Sequence, residues 1–279
     1  MTRALVRALP GDPLETLVAE TGTTVPREQL ARELRLDRPF AQGLLEDLGA
    51  ALHGDLGRSL LSRREVAPWI RERLAKTAEL TALSLALGLA FSLALGLLAA
   101  RPGRADRFCT VFGAVAAALP TPWIGPMLIL AFAVKLPLFP LGGHVALPAI
   151  TLAIGFTGLW SRLVRARVRE TLSLPLAQAA RARGLGESRV VLKYGLAPCL
   201  GPLAAYFGTQ LGAMLGGAMV TEVIFDWPGM GSLLVENVLK RDYPVVEGAV
   251  FVTAACCLGG TWLGDWLQGW LDPREGGRT

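Results

Sequence analysis

Five stretches of the chain contain no Asp, Glu, Lys, Arg or His: Leu80 to Ala100, Phe108 to Val134, Val145 to Ser161, Tyr194 to Thr221 and Gly248 to Gly264. A helix needs about 20 apolar residues to cross the hydrocarbon core of a bilayer, with roughly 17 as the short limit. Each run meets that length, and in lipid each segment must satisfy its own backbone groups, which helices do. The pattern predicts an all-α, polytopic membrane protein with five transmembrane helices at about 78–100, 108–134, 145–161, 196–221 and 246–266. The competing reading, five buried helices of a soluble protein, requires charge-free runs longer than soluble cores use. Residues 1–76 differ in pattern. Arg27 to Leu36 carries mixed charge, Ala41 to Leu52 has apolar residues at helical spacing, and turn signals fall at Pro10 to Pro13 and His53 to Gly57. They read as an extracytoplasmic segment of short helices ahead of a membrane domain over 77–270, with a tail at 271–279.

Composition strengthens the membrane assignment: 52% of residues are hydrophobic and the mean hydropathy is +0.43. Basic residues then set the orientation. Arg101, Arg104 and Arg107 follow the first span. Arg162, Arg165, Arg167, Arg169, Arg181, Arg183, Arg189 and Lys193 follow the third. The alternate loops hold Lys135, and Lys240 with Arg241, the latter offset by Glu222, Asp226, Glu236 and Asp242. Loops 101–107 and 162–193 and the tail are therefore cytoplasmic, and residues 1–76 lie on the far side. Met1 to Asp12 offers no apolar run to export them, so either a further helix is expected ahead of this sequence or the topology is assigned the wrong way.

The net charge of +5 reports this topology before it reports any partner. Residues 1–76 hold 12 basic and 11 acidic side chains without a basic stripe interleaved with aromatics, so nucleic-acid binding is not expected. Cys109, Cys199, Cys256 and Cys257 fall in apolar runs, and His53 and His144 are far apart, which leaves no metal-ligand spacing. No Ser–His or other catalytic pair stands out, and no metal or catalytic residue is assigned. The spans are nearly empty of the ionisable residues that an ATP-independent carrier or channel would use for coupling ions.

Several positions inside the spans are candidates for a pathway or for packing. Pro120, Pro122 and Pro126 interrupt the second span, where each would cost about 3 kcal/mol in an ordinary helix interior. Pro120, Trp123 and Gln210 are taken as pathway candidates because kinked or polar positions within spans tend to face the interior. Gly208, Gly212 and Gly216 are spaced by four, on one helix face, as in close helix packing. Trp262, Trp266 and Trp270, also spaced by four, read as interfacial anchors.

The cytoplasmic block from Ser161 to Tyr194 carries more than charge. Ser173 can cap a helix with Pro175 in its first turn, and Gly184 can end it through a left-handed turn. Between them Gln178, Ala179, Ala180, Arg181, Ala182, Arg183, Gly184 and Leu185 make a short helix with little side chain, shaped for a partner's groove. A solvated basic loop explains the arginines but not a glycine-terminated alanine helix.

At these residues the chain resembles the permease subunits of ATP-binding cassette importers of the dipeptide, oligopeptide and nickel class. The shared motif of those permeases is Glu-Ala-Ala, three residues, Gly, and a later Leu-Pro; here it is Gln178-Ala179-Ala180, three residues, Gly184, with Gly201-Pro202 downstream. The resemblance extends through Pro10-Gly-Asp-Pro13, Leu36-Asp37-Arg38-Pro39, Gly54-Asp-Leu-Gly57, Arg73-Leu74, Glu222-Val-Ile-Phe225-Asp-Trp227-Pro228-Gly229-Met-Gly231, Arg241-Asp242-Tyr243-Pro244 and Asp272-Pro273-Arg274. It departs at Pro175-Leu176, where the family has an acid and a tyrosine, and around Pro198, where an asparagine is usual. The family's first helix, just before the Pro-Gly-Asp-Pro motif, has only Met1 to Leu9 in its place.

The resemblance implies a type I importer permease fold with six helices in the family, placed as a multi-pass protein of the inner membrane. It implies one half of a translocation pathway for a di- or oligopeptide or a nickel chelate. The other half is a second homologous permease, two ATPase subunits hydrolyse the ATP, and an extracytoplasmic solute-binding protein delivers the solute. This chain has no phosphate-cradling Gly-x-x-x-x-Gly-Lys-Ser/Thr loop, so ATP binds the partners and no cofactor is expected here. The helix from Gln178 to Leu185 would be the ATPase-coupling helix. Glu222 and Phe225 match the family pattern at the outer end of a span, where gating and packing are both open.

Overall fold

A computed structural model of the chain describes residues 49–51, 53–100, 103–140, 142–215 and 218–271. Helix α1 (Val66–Leu98) opens the membrane domain and begins well before the charge-free run. The segment Val66 to Lys76 is amphipathic rather than a separate polar preface: Val66 and Ile70 pack on Met230, Leu233, Val245 and Ala249. The expected boundary at 76/77 is thus crossed by unbroken helix. At 1.5 Å per residue, 33 residues span about 50 Å against a hydrocarbon thickness of about 30 Å, so α1 projects on the outer side. Ahead of it, residues 49–51 are helical and residues 53–65 form turns, beginning at the turn signal of His53 to Gly57 and closed by an isolated antiparallel bridge between Arg58 and Glu65. The expectations for residues 1–48 lie outside the described residues.

The second apolar run is not one helix. Helix α2 (Arg104–Ala118) and helix α3 (Thr121–Leu128), which continues as a π-helical turn over Ile129–Lys135, meet at 104°. Leu119 and Pro120 take extended ψ of 120° and 133°, which ends one helix and caps the next. Pro122 then falls in the first turn, where its missing N–H costs nothing, and only Pro126 sits inside a helix. Three interior prolines were expected; one is found.

Helix α4 (Ala146–Ser173) descends into the cytoplasmic segment, followed by α5 (Pro175–Ala182) and α6 (Glu187–Val190). From α6 the chain passes through a π-helical turn (Val191–Leu196) and a 3₁₀ turn (Ala197–Cys199) into α7 (Leu200–Leu215). The fourth run, expected as one span to 221, instead divides: α8 (Met219–Ile224) is a separate short helix. Helix α9 (Met230–Leu239) follows, and α10 (Tyr243–Leu271) closes the described chain. Four of these continuous helical stretches are long and apolar enough to cross a bilayer, and the bent α2–α3 pair has the length and composition of a fifth when taken as one broken span. No β-strand occurs among the described residues.

The packing registers set the directions of the crossings. On α1 and α4, Gly88 meets Phe156 and Gly96 meets Val164; both numbers rise together, so the helices run parallel. On α2 and α4, Gly113 meets Arg162 and Ala116 meets Gly158, an antiparallel register. On α7 and α10, Gly208 meets Gly264 and Gly212 meets Gly260, again antiparallel. These registers agree with a chain that goes in through α1, out through α2–α3, in through α4, out through α7 and in through α10. The arginine distribution requires the same order.

Candidate functional site

The short helix α5 has two unlike faces. Ala177 and Ala180 are buried against Leu172, Leu185, Val190 and Tyr194, while Leu176, Ala179 and Arg183 are exposed. Gln178, Arg181, Ala182 and Gly184 are exposed as well, and Leu185 is half-buried. The helix spans two turns. Leu174, not Ser173, stands at its N-cap, with ψ of 153° and no side-chain cap. The Ser173 hydroxyl donates back to the Glu170 carbonyl at 2.7 Å, so it closes α4 instead. Pro175 presets the first turn. At the other end Gly184 has φ of +79°, and a Cβ there would meet nothing within 4 Å. Its glycine serves the turn and not a close contact.

Arg181 fastens this helix to its neighbours. Its Nε and Nη2 donate to the two Glu187 carboxylate oxygens at 3.0 and 3.1 Å, and Nη1 donates to the Leu172 carbonyl at 3.2 Å. The Glu187 hydrogen bonds raise the Arg181 pKa above its ordinary value. Gln178 Nε2 donates to the Ser173 carbonyl at 3.2 Å. The result is a helix fixed to α4 and α6 on one side, with an apolar strip of Leu176 and Ala179 free on the other.

Above it, Arg165 and Arg169 of α4 face the start of α2. Asp106 accepts from Arg165 and, at 2.8 Å, from Arg169, which also donates to the carbonyls of Ala100 at 3.0 Å and Ala99 at 3.2 Å. The end of α1, the start of α2 and the cytoplasmic stretch of α4 are thereby joined. This node escaped the sequence reading, although Asp106 is the lone acid in the loop 101–107.

On the outer side Glu222 is fully buried. Its Oε1 accepts from the Thr77 hydroxyl of α1 at 2.7 Å, and Oε2 accepts from the Ser232 N–H at 3.0 Å. Thr77 Oγ1 in turn accepts from the Met230 N–H at 2.8 Å. The carboxylate thus caps the first turn of α9, where free N–H groups and the helix dipole favour an anion. A Cβ at Gly229 would overlap the Glu222 carboxylate, and one at Gly231 would lie 2.5 Å from Met219 Cα. The glycines of the Glu222–Gly231 motif make room for the clasp. Trp227 Nε1 donates to the Lys76 carbonyl at 3.0 Å, and Lys76 Nζ lies 5.4 Å from the Trp227 ring centroid.

The pathway candidates do not converge on one point. Pro120 and Trp123 are exposed at the break and on α3, which packs against α4 and α8. Gln210 is half-buried on α7, which pairs with α10 and α1. Phe225 is buried with Ala133 and Leu147. Together with Phe139, His144, Ile224 and Asp226 it lines an outer hollow of about 250 Å³. Gly208 and Gly212 lie in the α7–α10 contact, where a Cβ on Gly212 would come 2.6 Å from the Cys257 carbonyl oxygen. Gly216 lies outside the described residues. Their counterparts Gly260 and Gly264, also four apart, went unnoticed in the sequence. Trp262, Trp266 and Trp270 are exposed on α10. Among the described residues no group of three or more His, Cys, Asp or Glu is arranged to hold a metal ion.

Residues 92–276 match the family described as binding-protein-dependent transport system inner membrane component. The chain belongs to this family. It is therefore a multi-pass permease subunit of the inner membrane, a non-catalytic component of an ATP-binding cassette importer. The permease is 35% identical over 254 residues to the glutathione transport system permease protein GsiC of Escherichia coli strain K12 and to that of Pectobacterium atrosepticum. In both cases 88% of this chain and 83% of the relative are covered. Its fold matches a chain of the MetNI methionine ABC transporter in inward-facing conformations, at a TM-score of 0.62 and 18% identity, covering 73% of this permease and 96% of that chain. A chain of an amino acid ABC transporter, crystallised with histidines, matches at 0.56 and 16% identity, covering 74% and 94%.

Proposed function

We propose that this permease forms half of the translocation pathway for a small peptide-like solute, and that it takes its driving force from ATPase subunits through α5. The observation that carries the coupling reading is the division of α5: Ala177, Ala180 and Arg181 bind it to the body, while Leu176 and Ala179 are left free. A rigidly mounted helix with a free, small-residue face suits insertion in a partner groove, and a push on it passes straight to α4 and to the turn entering α7. A second homologous permease completes the pathway, two ATPase subunits bind and hydrolyse ATP, and an outer solute-binding protein delivers the solute. The names of the glutathione permease relatives support a peptide-like solute over a nickel chelate.

Nucleotide state would then bias the paired permeases between outward-open and inward-open arrangements. The test is reconstitution of the permease with its partner subunits and binding protein in proteoliposomes. Ala179→Trp should leave the amount of permease in the membrane unchanged while lowering both import and solute-stimulated ATP hydrolysis at least about tenfold, the effect of blocking a groove contact worth roughly 1.4 kcal/mol. Undiminished coupling in that variant overturns the assignment of α5.

A further inference from the structure

Arg162 is set apart from the other arginines of α4. Arg165 and Arg169 are tied to Asp106, and Arg167 to Glu170, whereas among the described residues no carboxylate pairs with Arg162. Its depth is fixed from two sides. Arg169 binds the carbonyls just beyond α1, where the charge-free run ends, and Arg162 lies seven residues before it on the same unbroken helix, about 10 Å further toward the outer side, so the cytoplasmic loop expected from residue 162 starts later. On α2 its contact, Gly113, lies nine residues beyond Arg104, about 13 Å inward by the same rise. The side chain crosses α2 where there is none to oppose it: a Cβ on Gly113 would come 2.5 Å from Arg162 Cδ.

The helix that carries Arg162 is the most buried of the long apolar helices, held between α1 on one side and α2 on the other. Within the charge-free run and just past it, the helix leaves Leu159 and Arg162 exposed, with half-buried Gly155 one turn earlier opening onto empty space. A cation held inside a membrane on the residual face of a central helix belongs beside a water-filled path rather than against acyl chains. We propose that Arg162 is an anion-recognition residue of the translocation pathway, which takes a carboxylate of the solute as it passes toward the cytoplasmic mouth. Gly113 provides the slot through which the side chain reaches it. The inference rests on the import function proposed above and adds the charge class of the solute.

The test compares import of glutathione with import of its carboxamide in proteoliposomes holding the complete transporter, each solute presented on the binding protein. Wild type should favour the free acid. Arg162→Gln should lower import of the acid about tenfold, the effect of losing one charge-assisted hydrogen bond, leave the carboxamide unchanged, and be restored toward wild type by Arg162→Lys. Equal loss for both solutes, or loss for neither, overturns the proposal. Loss that depends on the anionic-lipid content of the vesicles overturns it in favour of a lipid headgroup contact. Wild-type import confined to neutral solutes overturns it while leaving the import function standing, whereas absence of any ATP-driven import by wild type removes both.

Discussion

Single residues here do work that their chemical type alone does not announce. Gly184 illustrates this: a Cβ there would meet nothing within 4 Å, yet its φ of +79° requires a left-handed residue. Gly184→Ala is expected to strain the turn by roughly 1–2 kcal/mol and to weaken coupling. Gly184→Asn, which tolerates that conformation, should recover most of it; ATP hydrolysis stimulated by the loaded binding protein is the readout. Equal impairment by both would show that a partner contact, not the backbone, selects glycine. Glu222 is the second case. The motif around it was visible in the sequence, but its meaning was split between gating and packing, because its hydrogen-bond partner Thr77 lies 145 residues away. Local spacing carries no signal at that distance. Glu222→Ala leaves the Ser232 N–H of α9 and the Thr77 hydroxyl without an acceptor, and should destabilise the protein by about 2–4 kcal/mol. Thr77→Val in the same background should add much less than it does alone, a non-additivity measurable by thermal unfolding in detergent.

At the scale of elements, the contact between α7 and α10 depends on four glycines that let the two backbones touch. Gly264→Leu would drive a side chain into Gly208, with no flexible neighbour to move aside, and should lower the unfolding temperature in detergent by several degrees or prevent accumulation in the membrane, as overpacking by roughly 1–3 kcal/mol implies. Gly269→Leu, on the same helix with nothing within 4 Å, is the matched control and should be neutral. The existence of the long helices was legible from charge-free runs alone, since lipid demands them. Their ends were less so. The start of α1 was missed because Arg71, Glu72 and Arg73 look like loop chemistry until Val66 and Ile70 are seen to pack on α9 and α10. The break at Leu119–Pro120 was legible as trouble, though not as a turn of 104°, because proline fixes its own φ and says nothing about what the flanking helices pack against.

For the whole molecule, the directions of the crossings follow from two unrelated sources, the distribution of arginine and the registers of glycine contacts. They make a concrete expectation for labelling. With Cys109, Cys199, Cys256 and Cys257 replaced, a single cysteine at Arg183 should react with an impermeant maleimide only from the cytoplasmic face, and one at Lys240 only from the outer face. The reverse pattern would invert the orientation. The molecule is also stitched together across its sequence in a way that bears on how it is made. Thr77 waits for Glu222, and Ser59 for Asp242, a partner 183 residues later. At roughly 5–20 residues per second of synthesis, α1 spends on the order of ten seconds in the bilayer with its outer end unclasped. A nascent chain interrupted before α8 carries that open end permanently, which gives membrane proteases a physical mark by which to tell an unfinished permease from a finished one.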